Sequence, residues 1–381
     1  MKITIGMVFG GLSVEHEISV ITALQAYHNY KNEKYELLPI YLGKDKTFYY
    51  GDALKDIKNY NHLPSLLKKC HKIQFLKNQQ GSYFKKNHKK IYIDAIWLVT
   101  HGNNCEDGSL YNYFNMLGLI CIGLDHFQGS ISQDKVICKQ IMQANKVKQT
   151  KYFSIHYLQY NQNSDIVFQQ AKKIGYPLIV KPAKLGSSVG ITICFDDAQL
   201  IDAIEQVFQY DTKALIEEYI EDAKELNISL LGDLDFYQHS AIEEVTKCSF
   251  LSYEDKYQNH AKNKGMAGLN RIVPATISEE LKQELIQVAK KVATLLESHL
   301  CVRLDFLYDE KKGILYFNEI NNIPGSLAFY LWEKANLSFS DLIDQILDIG
   351  IKHEFHKTEL ILTYPSNIFN SDDLNQIKVS K

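Results

Sequence analysis

The chain begins with an apolar run that passes into a helical spacing of apolar residues. Residues 3–9 are mostly apolar and β-branched and predict a buried strand, and Gly10-Gly11 predicts a tight turn after it. Ser13 has a side chain suited to the N-cap of the helix that follows. The predicted buried face of this helix consists of Val14, Ile18, Ile21 and Leu24. This order of strand, turn and helix indicates the first βα unit of an α/β domain.

A second βα unit is predicted later in the chain. Residues 95–99 predict its strand, residues 101–108 its loop, and Gly118 the end of its helix. The apolar positions of this helix are Leu110, Phe114 and Leu117. Both loops would lie at the carboxyl ends of parallel strands, where open α/β sheets bind ligands.

The second half of the chain predicts strands that are joined by short turns. A strand at residues 177–180 and another from Ile191 flank a Gly/Ser turn at residues 186–190, which indicates a hairpin lid. Residues 302–307 and 314–320 predict two further strands. A long amphipathic helix is predicted at residues 278–296, with a buried face of Leu281, Leu285, Val288, Val292 and Leu295.

The length and the charge balance exclude several classes of protein. A chain of 381 residues with 45% apolar and 23% charged residues is typical of a folded protein with two or three domains. Its 42 Lys and Arg against 45 Asp and Glu give a net charge of −3, which argues against nucleic acid or an anionic membrane as the main partner. We interpret the lysine-rich residues 45–94 as a solvated insertion rather than a nucleic-acid patch. These lysines are Lys68, Lys69, Lys72, Lys85, Lys86, Lys89 and Lys90.

The cysteines and the N-terminus indicate a cytoplasmic protein. The seven cysteines are scattered and none has Cys-x-x-Cys spacing, so neither a disulfide framework nor a zinc site is predicted. The N-terminus runs directly into the first predicted strand without the apolar region of a signal peptide. No stretch approaches the about 18 apolar residues of a membrane span. We therefore expect a cytosolic location and no membrane partner.

Two predicted strands carry a set of side chains that suits a metal ion. Because side chains alternate along a strand, Arg303 and Asp305 share one face, and Glu319 and Asn321 share a face of the next strand. Two carboxylates and an amide oxygen suit Mg²⁺ with its waters and substrate phosphates better than they suit zinc. The alternative is a half-exposed hairpin with paired surface charges. The turn at residues 321–325 favours a functional site.

The predicted hairpin turn at residues 181–190 has the composition of an anion-binding loop. Its Gly and Ser residues let backbone N–H groups approach a phosphate, and Lys181 supplies a point charge. The spacing is not that of a P-loop, and a plain turn is the alternative. Glu217 and Glu218 follow an apolar strand and would either bind an adenine amine and ribose hydroxyls or be solvated.

The loops of the two βα units carry candidate substrate-binding residues. The Gly10-Gly11 turn lacks the Gly-x-Gly-x-x-Gly spacing of a dinucleotide site, so we reject that interpretation. Glu15 would lie in the first turn of the helix and would either stabilise its N-terminus or pair with a substrate ammonium. His101 opens the second loop as either a ligand-binding group or a turn residue with its own partners.

Taken in order, these segments resemble the D-alanine:D-alanine ligases of the ATP-grasp superfamily. The matching stretches span most of the chain and are GGLSVEHEIS (10–19), HGNNCEDG (101–108), DK (134–135), YPLIVKPAKLGSSVGI (176–191), LIEEYI (215–220), SYEDKY (252–257), VRLDF (302–306) and NEINNIPGS (318–326). The resemblance implies ATP-dependent ligation of two D-alanine molecules through an acyl phosphate, for peptidoglycan precursor synthesis.

The resemblance also implies an α/β and α+β architecture with an ATP-grasp fold. An N-terminal Rossmann-like (pre-ATP-grasp) α/β domain would occupy residues 1–134. A small ATP-grasp lid would occupy residues 135–213, and a large catalytic ATP-grasp subdomain residues 214–381. ATP would lie between the latter two.

The same resemblance implies a set of site residues. The residues expected around the substrates and the intermediate are Glu15, His101, Ser187, Tyr257, Arg303, Gly325, Ser326 and Tyr330. The residues expected around ATP are Lys135, Lys181, Ser187, Ser188, Glu217, Glu218, Glu225 and Lys256. The implied magnesium ligands are Asp305, Glu319 and Asn321, for two Mg²⁺ ions that Mn²⁺ could replace. Glu15, Ser187 and Tyr257 match a hydrogen-bonded trio that closes the site. Relatives are commonly homodimers.

Two positions bear on the second substrate. Tyr330 stands where relatives often have a serine that helps to hold the carboxylate of the second D-alanine. Tyr257 resembles dipeptide-forming members, whereas depsipeptide-forming ligases tend to have histidine there, which favours an amine over D-lactate. The alternatives are a D-alanine:D-lactate or D-alanine:D-serine ligase and, from another class, a catalytically silent ATP-binding protein. The complete set of implied magnesium ligands argues against the silent protein.

Overall fold

The N-terminal part of the chain forms a mostly parallel sheet. The structure is a computed structural model that describes residues 2–234, 236–245 and 271–365. Its first elements are β1 (Ile3–Gly10), α1 (His16–Asn29), β2 (Tyr35–Leu42), β3 (Phe48–Tyr50), α2 (Leu63–Lys68), β4 (His71–Ile73), β5 (Phe75–Asn78), β6 (Gly81–Lys86), β7 (Lys89–Ile93), β8 (Ala95–Leu98), α3 (Ser109–Met116), β9 (Cys121–Ile122) and α4 (His126–Gln133). The strand order is β4-β3-β2-β1-β8-β9, and β2, β1, β8 and β9 run parallel. Both predicted βα units are confirmed.

The first helix begins later than the sequence predicts. Glu15, not Ser13, is the N-cap of α1, and the Ser13 Oγ accepts a hydrogen bond from the Glu15 N–H at 3.0 Å. The prediction of Ser13 as N-cap was wrong because a turn, in which the His16 N–H donates to the Ser13 carbonyl, precedes the helix. The helix therefore buries Ile18 and Leu24 but leaves Val14 and Ile21 exposed.

Part of the lysine-rich segment forms a separate three-stranded sheet. β5, β6 and β7 pair antiparallel in a separate sheet, and short 3-10 helices at Asp52–Lys55 and Ile57–His62 precede α2. Six of the seven predicted lysines are exposed and Lys86 is half-buried. The prediction that these lysines are solvated is confirmed. The segment is more than an insertion, however, because it supplies β3 and β4 of the N-terminal sheet, and Phe75 and Phe84 are buried in the core of that sheet.

The middle of the chain forms an antiparallel sheet with helices on it. Its elements are α5 (Lys135–Ala144), β10 (Tyr152–His156), α6 (Tyr157–Gln162), α7 (Asp165–Ile174), β11 (Leu178–Pro182), β12 (Thr192–Cys194), α8 (Asp197–Val207) and β13 (Lys213–Glu218). The strand order is β10-β13-β11-β12. β11 and β12 pair antiparallel, so the predicted hairpin is confirmed. Val167 of α7 and Leu200 of α8 pack with Val180 in the core of this sheet.

The last part forms a second, larger antiparallel sheet. Its elements are β14 (Lys224–Asp233), β15 (Phe236–Val245), β16 (Arg271–Ile272), α9 (Glu279–Leu295), β17 (Leu300–Asp309), β18 (Ile314–Asn321), α10 (Phe329–Glu333) and α11 (Phe339–Thr358), with a 3-10 turn at Gly325–Ala328. The strand order is β16-β15-β14-β17-β18. The predicted amphipathic helix is α9, which begins at the N-cap Ser278 and buries Leu281, Leu285 and Val292. The two predicted strands are β17 and β18.

Helices from other parts of the chain complete two of the hydrophobic cores. Met142 of α5 packs in one core with Leu285 of α9 and Leu304 of β17. Leu342 and Ile346 of α11 pack into the core of the N-terminal sheet. The three parts are therefore held together by helices that pack across them, and the borders near residues 134 and 213 stay predictions.

Within the described ranges, no helix combines the length and the apolar character needed to cross a membrane.

Candidate active site

One cavity brings together side chains from all three parts of the chain. It has a volume of about 320 Å³. Glu15 and His101 line it from the N-terminal sheet, Lys181 from β11 of the middle sheet, and Arg303 and Glu319 from the last sheet. These residues lie up to about three hundred positions apart in the sequence, so the cavity exists only in the folded chain.

The predicted face of β17 and β18 lines this cavity. Arg303 lies opposite Asn321, and Asp305 lies opposite Glu319. The Arg303 Nε and Nη2 both donate to the carboxylate of Asp305 at 2.7 Å, and the Asn321 Nδ2 donates to the Asp305 Oδ2 at 2.9 Å. Val302 and Leu304, on the other face, are buried in the core as the alternation predicts.

The electrostatics of this face are dominated by burial and by neighbouring carboxylates. Burial raises the pKa of Asp305 to about 6, and Glu319 and Glu225 also raise it, although Arg303 opposes the shift. Burial of Arg303 disfavours its charged guanidinium and so acts to lower its pKa. The charge of Asp305 and its hydrogen bonds to Arg303 outweigh this effect, so the pKa of Arg303 is raised above its ordinary value. Arg303 therefore stays cationic inside the cavity.

The donor set of this face fits a hard divalent cation. No group of three or more His, Cys, Asp or Glu side chains placed to hold a metal ion occurs in the described part of the chain. Asp305, Glu319 and Asn321 supply two carboxylates and one amide oxygen on neighbouring strands. Such a small oxygen set suits Mg²⁺, which keeps waters and takes further oxygens from substrate phosphates.

A buried charge cluster lies beside the predicted ATP lysines. Glu217 on β13 forms ion pairs with Lys181 of β11 and, at 2.5 Å, with Lys139 of α5. The Thr150 hydroxyl donates to the Glu217 Oε1 at 2.7 Å. Burial disfavours the ionised carboxylate, but the two lysines outweigh it and lower the pKa of Glu217 to about 2. Glu217 is thus an anion that pairs with two buried cations, of which Lys181 lines the cavity.

The Gly/Ser loop makes direct contact with Glu15. The Ser187 hydroxyl donates to the Glu15 Oε1, and a Cβ atom at Gly186 would lie only 2.8 Å from that oxygen. Ser187 and Ser188 both adopt left-handed backbone angles, with φ of 55° and 60°. The Lys135 Nζ donates to the Leu185 carbonyl at 2.7 Å and lies 3.5 Å from the Glu319 Oε2.

The two strand-end loops of the N-terminal sheet meet around Glu15 and Glu106. The Glu106 carboxylate accepts hydrogen bonds from the Gly102 N–H at 2.6 Å and the Ile323 N–H at 3.2 Å. Burial, reinforced by the charge of Glu15, raises the pKa of Glu106 to about 8. Burial also raises the pKa of Glu15, against the hydrogen bond from Ser187. This end of the cavity therefore binds protons more tightly than free carboxylates do.

His101 is a neutral group at this end. Burial lowers its pKa to about 4, and its Nε2 lies 3.2 Å from the Thr22 hydroxyl. The same hydroxyl accepts a hydrogen bond from the Ser326 N–H at 2.9 Å. Thr22 thus connects the His101 loop to the turn that follows β18.

The remaining predicted residues fall into three groups. Ser188, Glu218, Glu225 and Gly325 line the cavity. Among the described residues, Ser326 and Tyr330 are not part of its lining; Ser326 is buried and the Tyr330 hydroxyl donates to the Glu243 Oε1 at 3.0 Å. Lys256 and Tyr257 lie outside the described residues, so two members of the predicted trio, Glu15 and Ser187, are in contact and the third stays a prediction.

Four residues of the cavity lining, and Lys139 behind Glu217, were not predicted from the sequence. Lys139 follows Lys135 by one helical turn, and Glu106 stands in the quoted HGNNCEDG stretch, so both had a local signal. Asn227, Glu243 and Arg271 line the cavity from β14, β15 and β16. They lie on strands that were not predicted from the sequence, so no local signal identified them.

Comparisons with known proteins agree with this geometry. The family model described as D-ala D-ala ligase N-terminus matches residues 4–124, and the model described as D-ala D-ala ligase C-terminus matches residues 141–348. The chain is 36% identical over 381 residues to a D-alanine–D-alanine ligase of Thermosipho melanesiensis, with 100% of both chains covered. It is 32% identical to D-alanine–D-alanine ligase B of Clostridium tetani, covering 93% of this chain and 95% of that one.

Solved structures show the same fold. A D-alanine–D-alanine ligase from Coxiella burnetii superposes with a TM-score of 0.79 at 21% identity, covering 94% of this chain and 96% of that one. A D-Ala:D-Ser ligase from Enterococcus faecalis superposes with a TM-score of 0.77 at 25% identity, covering 92% and 100%. The chain has the ATP-grasp fold and belongs to the D-alanine–D-alanine ligase family of enzymes.

Proposed function

We propose that this protein uses ATP to join two molecules of D-alanine into D-alanyl-D-alanine through an acyl phosphate, for peptidoglycan precursor synthesis. The observation that carries the proposal is the single cavity that contains Glu15, Lys181, Arg303 and Glu319 together. A carboxylate resists attack by an amine because it is anionic and has no good leaving group. Transfer of a phosphoryl group to the carboxylate removes both obstacles.

The cationic side chains support the phosphoryl transfer. Lys135 and Lys181 would contact the ATP phosphates, where positioning and electrostatic stabilisation supply most of the catalysis. Asp305, Glu319 and Asn321 would hold Mg²⁺, as two ions that Mn²⁺ could replace, and this cation neutralises phosphate oxygens when bound. Glu217, Glu218 and Glu225 would contact the adenine and ribose.

The other end of the cavity supports binding of the first D-alanine. Glu15 would accept hydrogen bonds from its ammonium group, with neutral His101 beside it. After the second amine attacks, Arg303 and the Gly325 N–H would stabilise the tetrahedral oxyanion before phosphate leaves. Arg303 is suited to this because it stays cationic in a buried place.

The Gly/Ser loop supports the exclusion of water. An acyl phosphate is hydrolysed when water reaches it, so the site must close over it. The hydrogen bond from Ser187 to Glu15 joins the loop to the substrate end of the cavity. Tyr257 would complete the trio, and Lys256 would approach ATP from the same segment.

Three broader features complete the proposal. We place the enzyme in the cytoplasm, which suits its use of ATP and its scattered cysteines. We propose a homodimer on the family resemblance alone, and sedimentation velocity tests it. The borders at residues 134 and 213 are likewise proposed, with limited proteolysis as their test.

A coupled assay of phosphate release with identification of the products tests the proposed function. ATP hydrolysis should require D-alanine and yield D-alanyl-D-alanine, and L-alanine should not replace it. Glu319→Gln should lower turnover far more than it lowers the free energy of unfolding. Equal activity with L-alanine, or full turnover in this variant, would contradict the proposal.

A D-alanine:D-serine ligase is the second candidate. The chain superposes on the Enterococcus faecalis D-Ala:D-Ser ligase almost as well as on the Coxiella burnetii D-alanine–D-alanine ligase, with TM-scores of 0.77 and 0.79, which keeps this candidate open. An assay with equal D-alanine, D-serine and D-lactate at neutral pH separates the candidates by the product that predominates. Predominant depsipeptide would exclude both amine-using candidates.

A further inference from the structure

A row of polar side chains crosses the last sheet beneath the cavity. Glu319 on β18 is opposite Asp305 on β17, Asp305 is opposite Asn227 on β14, and Asn227 is opposite Glu243 on β15. All four line the cavity. The proposed metal ligands occupy one end of this row, and the mechanism above leaves Asn227 and Glu243 at the other end without a role.

This second end contains buried polar atoms that lack partners. Among the described residues, the Asn227 Oδ1, the Glu243 Oε2 and the Arg271 Nε have no hydrogen bond. Asn227 and Glu243 are almost completely buried, at 3% and 1% exposure. The Arg271 Nη1 lies 3.4 Å from the Glu243 Oε2 as an ion pair without a hydrogen bond. Leaving a buried polar group without a hydrogen bond is unfavourable, so these atoms indicate a ligand that supplies their partners.

The chemistry of the three atoms defines that ligand. The Asn227 and Glu243 oxygens need hydrogen-bond donors, and the Arg271 Nε needs an acceptor. An α-amino acid carries both groups on one carbon, as an ammonium with three donors and a carboxylate with two acceptor oxygens. Arg303, which would hold the oxyanion, is close enough for the charge of Glu243 to act on it.

Tyr330 holds this polar group together. Its hydroxyl donates to the Glu243 Oε1 at 3.0 Å, and its ring lies 4.8 Å from the Arg271 guanidinium. The Asn227 Nδ2 donates to the same Glu243 oxygen at 3.0 Å. Both hydrogen bonds use Oε1 and leave Oε2 for another donor. The tyrosine is therefore a positioning residue for Glu243 and Arg271.

We propose that Asn227, Glu243 and Arg271 bind the second amino acid, with its ammonium on Glu243 and Asn227 and its carboxylate on Arg271. The inference rests on the proposed function and deepens it. Glu243 thereby favours an amine over a hydroxy acid, because a carboxylate attracts an ammonium group more strongly than a neutral hydroxyl. Before attack the ammonium group transfers one proton to the Glu243 carboxylate and becomes a free amine. The amine then forms the N–C bond, the C–O bond to phosphate breaks, and the second proton of the nitrogen leaves with the phosphate as HPO₄²⁻.

Two substitutions separate the binding of the ammonium group by Glu243 from the binding of the carboxylate by Arg271. Glu243→Gln should raise the KM for the second D-alanine by about 10- to 100-fold, the range for a lost charged hydrogen bond. It should also lower the ratio of dipeptide to depsipeptide formed from mixed D-alanine and D-lactate by a similar factor. Arg271→Lys should raise the KM for D-alanine and D-lactate alike and leave that ratio unchanged, because both ligands carry the carboxylate.

Glu244→Gln is the matched control, since Glu244 is the next residue on β15 and is not part of the cavity lining described above. Its product ratio and both KM values should equal those of the wild type. The inference would be overturned if Glu243→Gln kept the wild-type ratio of dipeptide to depsipeptide and the wild-type KM for the second D-alanine. It would also be overturned if the KM for the first D-alanine and the KM for the second rose equally. If the wild type forms neither product from ATP and D-alanine, the proposed function itself fails. If Glu243→Gln does not fold, Arg271→Lys with unchanged KM values still overturns the inference.

Discussion

The lysines of this protein occupy two opposite kinds of surroundings. In the segment 45–94, Lys85 and Lys89 are exposed on a small peripheral sheet. Lys139 and Lys181 are buried and share the single carboxylate of Glu217. The two groups have the same side chain, and of these four residues only Lys181 lines the cavity. Burial and a fixed counter-ion, rather than the density of lysine along the sequence, therefore distinguish the paired lysines of the interior from the solvated ones.

Removing the charge of Glu217, which Lys139 and Lys181 share, should have the largest effect on stability. Glu217→Gln leaves Lys139 and Lys181 buried without a counter-ion, so the free energy of unfolding should fall by about 3–5 kcal/mol. Urea denaturation at pH 7 measures the change. The double variant Glu217→Gln/Lys139→Met should recover part of the loss, because it also removes one of the two buried cations. If Glu217→Gln were as stable as the wild type, the ion pairs of Glu217 with the two lysines would not stabilise the fold.

The carboxylate of Glu217 should also make the stability of the protein fall at acidic pH. The pKa of Glu217 is lowered from an ordinary 4.5 to about 2 in the folded chain. Its contribution is therefore complete above about pH 4.5 and is lost as the pH falls towards 2. The difference in stability between the wild type and Glu217→Gln should shrink over that interval in urea titrations.

Lys135 should affect activity more than stability. It contacts the Gly/Ser loop and lies near Glu319. Lys135→Ala should lower kcat/KM for ATP by about 10²- to 10³-fold, the usual cost of one preorganised charge-stabilising group. Steady-state assays measure this ratio, with Lys148→Ala, an exposed lysine after the same helix, as the control. Comparable losses in both variants would remove the special role of Lys135.

Glu106 should produce a smaller effect that depends on pH. Its pKa is raised from 4.5 to about 8 in the folded chain, so folding favours its protonated form. This stabilisation is complete below about pH 4.5 and is lost as the pH rises through 8. The stability of the wild type relative to Glu106→Gln should therefore fall between these pH values. A constant difference between the two proteins across this range would argue against the shift.

The exposed lysines should have the smallest effect. Lys85→Ala/Lys89→Ala should change the free energy of unfolding by no more than about 0.5 kcal/mol, as is usual for surface positions. The kcat and KM for ATP should stay at wild-type values. A clear loss of ATP affinity in this double variant would remove the distinction between the two groups of lysines.

Much of the fold was predictable because its signals are local. The periodicity of apolar residues identified β1, β8, β11, β17, β18 and α9. The same reasoning placed the start of α1 too early, because a turn before the helix satisfies the Ser13 hydroxyl and carbonyl. A suitable capping residue was present, but the backbone course of a few residues decided whether it was used.

The part of the site that lies on the neighbouring strands β17 and β18 was predictable from the sequence. Arg303 and Asp305 share a face, and Glu319 and Asn321 lie opposite them, as the alternation of side chains requires. Lys139, Glu106 and Glu243 were not predicted, because their partners Glu217, Glu15 and Arg271 lie between 28 and 91 positions away in the sequence.

The sequence by itself therefore determined many of the elements, the face of β17 and β18 that carries Arg303, Asp305 and Glu319, and the family to which the chain belongs. The tertiary structure decided which charges are shared and which atoms lack partners. Two lysines on different elements pair with one glutamate, and Asn227, Glu243 and Arg271 face one cavity with unused hydrogen-bonding atoms. The physical reason is that pKa shifts and the satisfaction of hydrogen bonds depend on burial and on the distances between segments. Burial and these distances are set only when the chain folds.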